Sequence, residues 1–299
     1  PYLVAFIDIL GFGNEIQRAE TDQDLQRAYT KIRLVQKEFQ KPSAADDPDE
    51  QSDLNLDSGR RVIALSDAVV VAITPNCPTG QDMGPRDLFG FAIYEMILAQ
   101  ARCAASHGIF VRGGISHGPF FFEDDVLLSP ALARAYELES KYADYPLIVI
   151  PESTRRAILS VPNEDYAPGD DPTPRFFAKH GRRKWKGEQL YFLDYMNEMC
   201  EESHRGWMPE DRRDYLDAKE RGDERRMLAA IERRDLKDAA YFLEAHRRRL
   251  EEAYHSSVSE RVRKKYRWLM KYHNRSFLHD LEYIRDQVIE LSKFQLPGQ

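Results

Sequence analysis

The run YLVAFIDIL (Tyr2–Leu10) is apolar on both faces of an extended chain, and a single carboxylate, Asp8, interrupts it. Its aromatic and β-branched residues, with a glycine stop at Gly11, predict a buried strand. An isolated buried carboxylate is costly, so Asp8 must be paired, protonated or bound to a cation, unless it sits at the strand end and caps the next element. Whatever fold this chain adopts has to solve that problem.

The rest of the first two hundred residues alternates strand and helix signals. Leu25, Tyr29, Ile32, Val35 and Phe39 recur at spacings of three and four and predict an amphipathic helix over Asp22–Lys41. The stretch Pro42–Gly59 is acidic, rich in small residues and without periodicity, and reads as a loop. RVIALSDAVVVAIT predicts two short strands around a tight Ser66-Asp67 turn. RDLFGFAIYEMILAQARCAASHG predicts a second long helix closed by Gly108. IFVRGGISHG and PFFFEDDVLLS read as a further pair of strands, and PALARAYELESKYA as a helix with proline in its first turn. YPLIVIPE predicts a strand, STRRAILS a short helix and QLYFLDYM a last strand. The order β-α-β-β-α-β-β-α-β-α-β implies an α+β domain with a mostly antiparallel sheet and helices packed on one face. From about Cys200 the chain becomes dense in charge and in long helix formers. Residues 1–199 therefore read as one domain and 200–299 as a C-terminal helical extension. Its tail carries Trp268, Leu269, Tyr272, Phe277, Leu281 and Ile284, available to pack on the first domain or on a partner chain.

Composition narrows the function classes. A net charge of −7 argues against a nucleic-acid binder whose affinity comes from a basic face. The three cysteines, Cys77, Cys103 and Cys200, form neither a disulfide framework nor a zinc pattern, which fits a reducing, cytoplasmic setting. No apolar run reads as membrane-spanning, and no basic segment precedes the first apolar run as in a secretory signal.

Two acids stand out. Asp8 and Asp67 each lie in or beside a strand that otherwise reads as core. Singly, a turn role for Asp67 and a capping role for Asp8 are ordinary. As a pair, brought together if a helical crossover lays the first strand beside the hairpin, they suit a divalent cation such as Mg²⁺. Gly11 and Gly13, ahead of a helix, would let backbone N–H groups approach phosphate oxygens, although a glycine after a strand is usually a turn. His246, His255, His273 and His279 lack metal-binding spacing on a polar helical region and read as structural or solvated. No nucleophile elbow, Walker loop or dinucleotide glycine fingerprint is present.

FIDILGFG, ALSDAVVVA, VRGGISHGPFF, SPALARAYELE and KWKGEQLYFL occur in the order and rough spacing of class III nucleotide cyclase catalytic domains, which residues 2–196 resemble. The resemblance implies a ferredoxin-like, palm-type β-α-β-β-α-β domain acting by two-metal catalysis with Mg²⁺ or Mn²⁺, two ions per site. It gives Asp8 and Asp67 the role of metal ligands, with the Ile9 carbonyl as a further ligand. Phe12 and Gly13 would offer backbone N–H groups to the triphosphate, and Lys186 would grip it; the other reading of Lys186 is a solvated loop lysine. Because the family builds its site from two facing domains, a head-to-tail homodimer is implied.

Departures from the family are equally specific. Where purine cyclases carry an asparagine and an arginine after the GPFF hairpin, this chain has Ala133 and Glu137. Arg134, one turn before Glu137, is the candidate for stabilising charge on the reacting phosphate, against a surface-arginine reading, with Arg112 as runner-up. The adenine-selecting lysine falls near Ile63 and its partner acid near Val126, with Asp125 one residue out of register. The loss of that pair most resembles the pyrimidine nucleotide cyclases of Pycsar antiphage systems, which make cyclic CMP or cyclic UMP for a separate effector. The expectation is thus a uridylate or cytidylate cyclase, UTP preferred, with Phe120–Phe122 near the base or simply alternating on a strand. An adenylate or guanylate cyclase, an inactive nucleotide-binding domain and a polymerase-like palm are the competing readings, the last needing a nucleic-acid groove that an acidic chain does not advertise.

Overall fold

A computed structural model of the chain describes residues 1–40, 60–74, 85–124, 126–160, 172–201, 208–275, 289 and 293. The acidic stretch 42–59, Cys77, Asp125, Phe277, His279, Leu281 and Ile284 lie outside the described residues. The chain divides into two compact units, Pro1–Asp194 and Tyr195–Gln299.

The first unit runs β1 (Tyr2–Ile9), α1 (Phe12–Gln17), α2 (Asp22–Gln40), β2 (Arg60–Leu65), β3 (Ala68–Ile73), α3 (Pro85–Ala105) and β4 (Val111–Gly118). It continues with β5 (Phe121–Glu123), β6 (Val126–Leu128), α4 (Pro130–Tyr142), β7 (Ile148–Pro151), α5 (Glu152–Leu159), β8 (Phe177–Trp185) and β9 (Glu188–Leu193). Seven strands form one sheet in the order β2-β3-β1-β4-β7-β9-β8. Among the described residues only β4 and β7 pair in parallel, so the mostly antiparallel sheet expected from the sequence is what forms. β1 lies between β3 and β4, which explains why it is apolar on both faces: Leu3, Val4, Ala5 and Ile7 are all buried.

Helices cover both faces of this sheet, not one. Val4, Val70, Ala72 and Ala131 form a core cluster with Phe6, Ile63 and Leu132 packed against it, and Phe6 meets the Tyr136 ring edge-on at 5.3 Å. That places α4 on the even-numbered face of β1. Arg60 shares the opposite face with Leu3 and Ile73 through the strand register, and its ion pair with Glu95 places α3 there. Periodicity identifies a helix's apolar stripe but not which side of the sheet receives it. The close approach of α4 depends on Gly114, where an added Cβ would lie 2.6 Å from the Leu138 Cβ and 2.9 Å from the Glu139 nitrogen.

Three elements differ from the sequence reading. PFFFEDDVLLS is not one strand but a separate hairpin of β5 and β6. The turn after β1 includes the short helix α1, entered through Gly11 at φ +82°. The stretch Phe177–Trp185, not read as a strand from the sequence, is the edge strand β8. Its pairing jumps from Lys179↔Tyr191 to Lys184↔Gln189, so the intervening residues bulge, with Gly181 at φ +57°. The Gln189 amide donates to the Gly181 carbonyl at 3.1 Å and holds the bulge. The bulge breaks the two-residue alternation, which is why the strand is hard to read from the sequence.

The stretch Leu88–Ala105 of α3 is long and apolar enough to cross a membrane by length and composition, but 83% of it is buried inside the fold. Core packing accounts for its composition.

The second unit contains α6 (Tyr195–Glu201), α7 (Pro209–Glu220), α8 (Glu224–Ser256) and α9 (Glu260–Arg275). Ala239, Leu243, His246 and Leu250 make a buried stripe on α8 at spacings of four and three. His246 and His273 are not on a polar surface; both are fully buried and stacked at 5.1 Å. Their Nδ1 atoms are 3.1 Å apart, and His246 Nε2 is 3.0 Å from the Tyr195 hydroxyl. Burial, and then the neighbouring His273, push His246 well below the ordinary histidine value, so it is neutral in the fold.

Candidate active site

Asp8 lies near the C-terminal end of β1, directly opposite Ala68 of β3 on one side and Arg112 of β4 on the other. Asp67 immediately precedes Ala68 at the tip of the β2–β3 hairpin, where Ser66 takes φ +51°. The β1–β3 register sets Asp8 opposite Ala68, so Asp67, one residue before Ala68 in a two-residue turn, lies at the same end of β1 on the neighbouring hairpin about 4.8 Å away. Among the described residues the half-buried Asp67 carboxylate makes no hydrogen bond or ion pair.

The Asp8 side chain is 15% exposed and accepts a 2.8 Å hydrogen bond from Arg112 Nε. Arg112 Nη1 donates to the Ala143 carbonyl at 3.3 Å, and Nη2 is ion-paired at 2.7 Å with Glu139 of α4. The sequence problem posed by Asp8 is thus met partly inside the protein, by an arginine. Glu139 was missed by sequence reasoning. Its signal is its position on the α4 stripe of Ala131 and Ala135, where an acid interrupts an otherwise buried line.

Just beyond Asp8, the first-turn N–H groups of α1 at Phe12 and Gly13 have no intrahelical acceptor. Phe12 is buried and Gly13 exposed, and an added Cβ at Gly13 would meet nothing within 4 Å. Asp8, Ile9, Phe12, Gly13 and Asp67 are therefore grouped at one end of β1.

Arg134 and Lys186 are not part of that group within one chain. Arg134 Nε donates to Ser116 Oγ at 3.0 Å and Nη2 to the His117 carbonyl at 2.6 Å. Ser116 pairs with Val4, four residues and about 13 Å back along β1 from Asp8. Burial and the charge of Arg134 push the nearby His117 down from its ordinary value. Lys186, 61% exposed at φ +49°, occupies the β8–β9 turn with Nζ 4.5 Å above the Trp185 ring and 3.5 Å from Glu137. Three strand spacings, about 14 Å, separate β9 from β1. Burial raises the Glu137 carboxyl, but hydrogen bonds from Lys141 and Trp185 and the charge of Lys186 hold it below its ordinary value.

At the positions compared with a purine-reading pair, Ile63 packs against the Val4–Val70 cluster and Val126 is exposed on β6. Of the Phe120–Phe122 run, Phe121 is exposed, Phe120 lies 5.4 Å from Tyr2, and Arg61 sits over the Phe122 ring at 5.6 Å.

The donor set at Asp8 and Asp67 is all oxygen, two carboxylates and the adjacent Ile9 carbonyl, and fits a hard divalent cation such as Mg²⁺ or Mn²⁺. Among the described residues no group of three or more His, Cys, Asp and Glu side chains is placed to hold a metal.

No protein-family model and no curated protein matches the chain. Among solved structures it is similar to the adenylyl cyclase CyaB from P. aeruginosa, at 18% identity and a TM-score of 0.42, over 64% of this chain and 92% of that one.

Proposed function

We propose that the first unit is a nucleotide cyclase converting a pyrimidine nucleoside triphosphate, UTP in preference to CTP, to its 3′,5′-cyclic monophosphate and pyrophosphate. The observation that supports this reading is the β1–β3 register, which pairs Asp8 with Ala68, the chain neighbour of an Asp67 carboxylate that has no protein partner among the described residues. The two bound ions would supply Lewis-acid chemistry, easing ionisation of the ribose 3′-hydroxyl and neutralising the leaving pyrophosphate. Asp8, Asp67 and the Ile9 carbonyl would hold them. Phe12 and Gly13 would direct backbone N–H groups at the β- and γ-phosphates. Holding hydroxyl and α-phosphate in line is itself worth on the order of 7 kcal/mol in well-aligned cases.

Arg134 and Lys186, distant from Asp8 within one chain, would reach the nucleotide from a second protomer in a head-to-tail homodimer with two composite sites. Ile63, committed to core packing, cannot hydrogen-bond a base, so the contact that reads adenine in the family this chain resembles has no counterpart there. In this reading the product is a cytoplasmic antiphage signal for a separate effector.

The test is to incubate purified chain with Mn²⁺ or Mg²⁺ and each nucleoside triphosphate separately, with Asp67→Asn as control. Cyclic UMP or cyclic CMP, lost by at least about a hundredfold in Asp67→Asn, is the expected outcome. Absence of any cyclic product overturns the reading, and preferred turnover of ATP or GTP replaces it with a purine cyclase. A second reading, a nucleotide-binding domain without turnover, is favoured by the Lys186–Glu137 ion pair, which occupies the lysine meant for the triphosphate. Calorimetry showing nucleotide binding without product would establish it.

A further inference from the structure

Resting on the cyclase reading, we propose that Arg112 is a positioning residue for the cation site, and that Glu139 is its counter-ion. Arg112 faces Asp8 across the β1–β4 pair and turns its guanidinium nitrogens toward three acceptors: Asp8 Oδ2, Glu139 Oε1 and the Ala143 carbonyl. Those acceptors come from β1 and from α4 with its C-terminal cap, so the guanidinium is braced from opposite sides.

Taken alone, an arginine 2.8 Å from a ligand carboxylate repels the cation that carboxylate is meant to bind. Glu139 removes that objection. Its carboxylate is 2.7 Å from Arg112 Nη2 and the residue is only 3% exposed, so the guanidinium charge is countered in a poorly solvated place. Seen from beyond Asp8, the Arg112–Glu139 pair is nearly neutral. Asp8 keeps its attraction for a cation while its orientation is fixed by the hydrogen bond. Partners of this kind orient metal-binding side chains and matter nearly as much as the ligands. Gly114 completes the device, because its missing side chain lets the α4 backbone at Glu139 come close enough to reach Arg112. Arg112 and Gly114 thus acquire a joint purpose.

The test uses Mn²⁺ alone, titrated into the full chain and followed by the electron paramagnetic resonance of unbound Mn²⁺. Wild type, Asp67→Asn, Glu139→Gln and Arg112→Gln are compared, with unfolding temperatures measured in the absence of metal. Glu139→Gln and Arg112→Gln are both expected to weaken Mn²⁺ binding tenfold to a hundredfold. If Arg112→Gln does not fold, Arg112→Lys keeps the charge and loses the planar fork, and the same weakening is expected. Tighter Mn²⁺ binding by Arg112→Gln would make Arg112 a competing cation and overturn the inference. So would variants with lowered unfolding temperatures and unchanged Mn²⁺ affinity, which is the signature of a merely structural pair. If Asp67→Asn loses Mn²⁺ while Glu139→Gln retains it, this inference alone falls. If wild type binds no Mn²⁺, or Asp67→Asn binds it like wild type, the cation site falls first and this inference with it.

Discussion

At Gly114 a single hydrogen stands where any other residue would drive a carbon into the backbone of α4. The neighbours on that side belong to a packed helix and cannot swing away as the end of a flexible side chain could. Gly114→Ala is therefore expected to destabilise the first unit by about 3 kcal/mol, the upper end of the usual range for overpacking, measured by urea unfolding. Because Glu139 sits at the point of collision, the same variant should also weaken Mn²⁺ binding. At this scale the sequence was legible where a residue broke a pattern. Asp8 interrupts a strand and Asp67 sits in a two-residue turn, and the register puts both at the same end of β1. Glu139 was hard to read for a physical reason: an acid on a helix is ordinarily solvated, and its place on the apolar stripe gains weight only once α4 is seen packed closely at Gly114.

Among the elements, α4 bears most on the site, since it carries Glu139, Arg134 and Glu137 on three different contacts. It starts with Ser129, whose Oγ accepts the Leu132 N–H at 3.0 Å, followed by Pro130 in the first turn. Ser129→Ala should cost about 1 kcal/mol by loss of this cap. The cap lies at the far end of α4 from Glu139, so Mn²⁺ affinity should change little, and calorimetric melting alongside the metal titration checks both. The helix α2 was readable from residue spacing, and the β2–β3 hairpin from two apolar runs about the Ser66-Asp67 turn. Two things were not. The bulge in β8 shifts its inward and outward residues midway, and no local pattern tells α4 to cross to the face opposite α3.

For the molecule as a whole, acid sensitivity follows from neutral buried histidines. His246 is held well below 6.5, chiefly by burial, so as pH falls through 6.5 the unfolded chain takes up a proton that the folded chain refuses. Stability is therefore complete above that value and declines below it, by at most about 1.4 kcal/mol per pH unit for each such group. His180 and His117, also lowered mainly by burial, add slope of the same sign in the first unit. Melting temperature should drop between pH 7.5 and 5.5, and His246→Gln should flatten that slope while lowering stability at neutral pH. Composite sites make a second prediction at this scale. Mixing inactive Asp67→Asn and Arg134→Ala chains, with exchange of protomers, should restore about one quarter of wild-type activity, since half the dimers would be mixed and each would hold one intact site. Activity that stays absent on mixing, with exchange verified, would rule out that arrangement.

The bulged margin of β8 has a bearing on how such chains coexist at high concentration. A terminal strand with a regular row of unpaired amides is a template on which a stranger's strand can grow, and from there insoluble assemblies form. Here that row is broken at Gly181 and lined by exposed Lys179, Arg182, Arg183 and Lys184, so an incoming copy meets both misaligned partners and like charge. The basic run along β8 works, on this view, as a guard against self-templating.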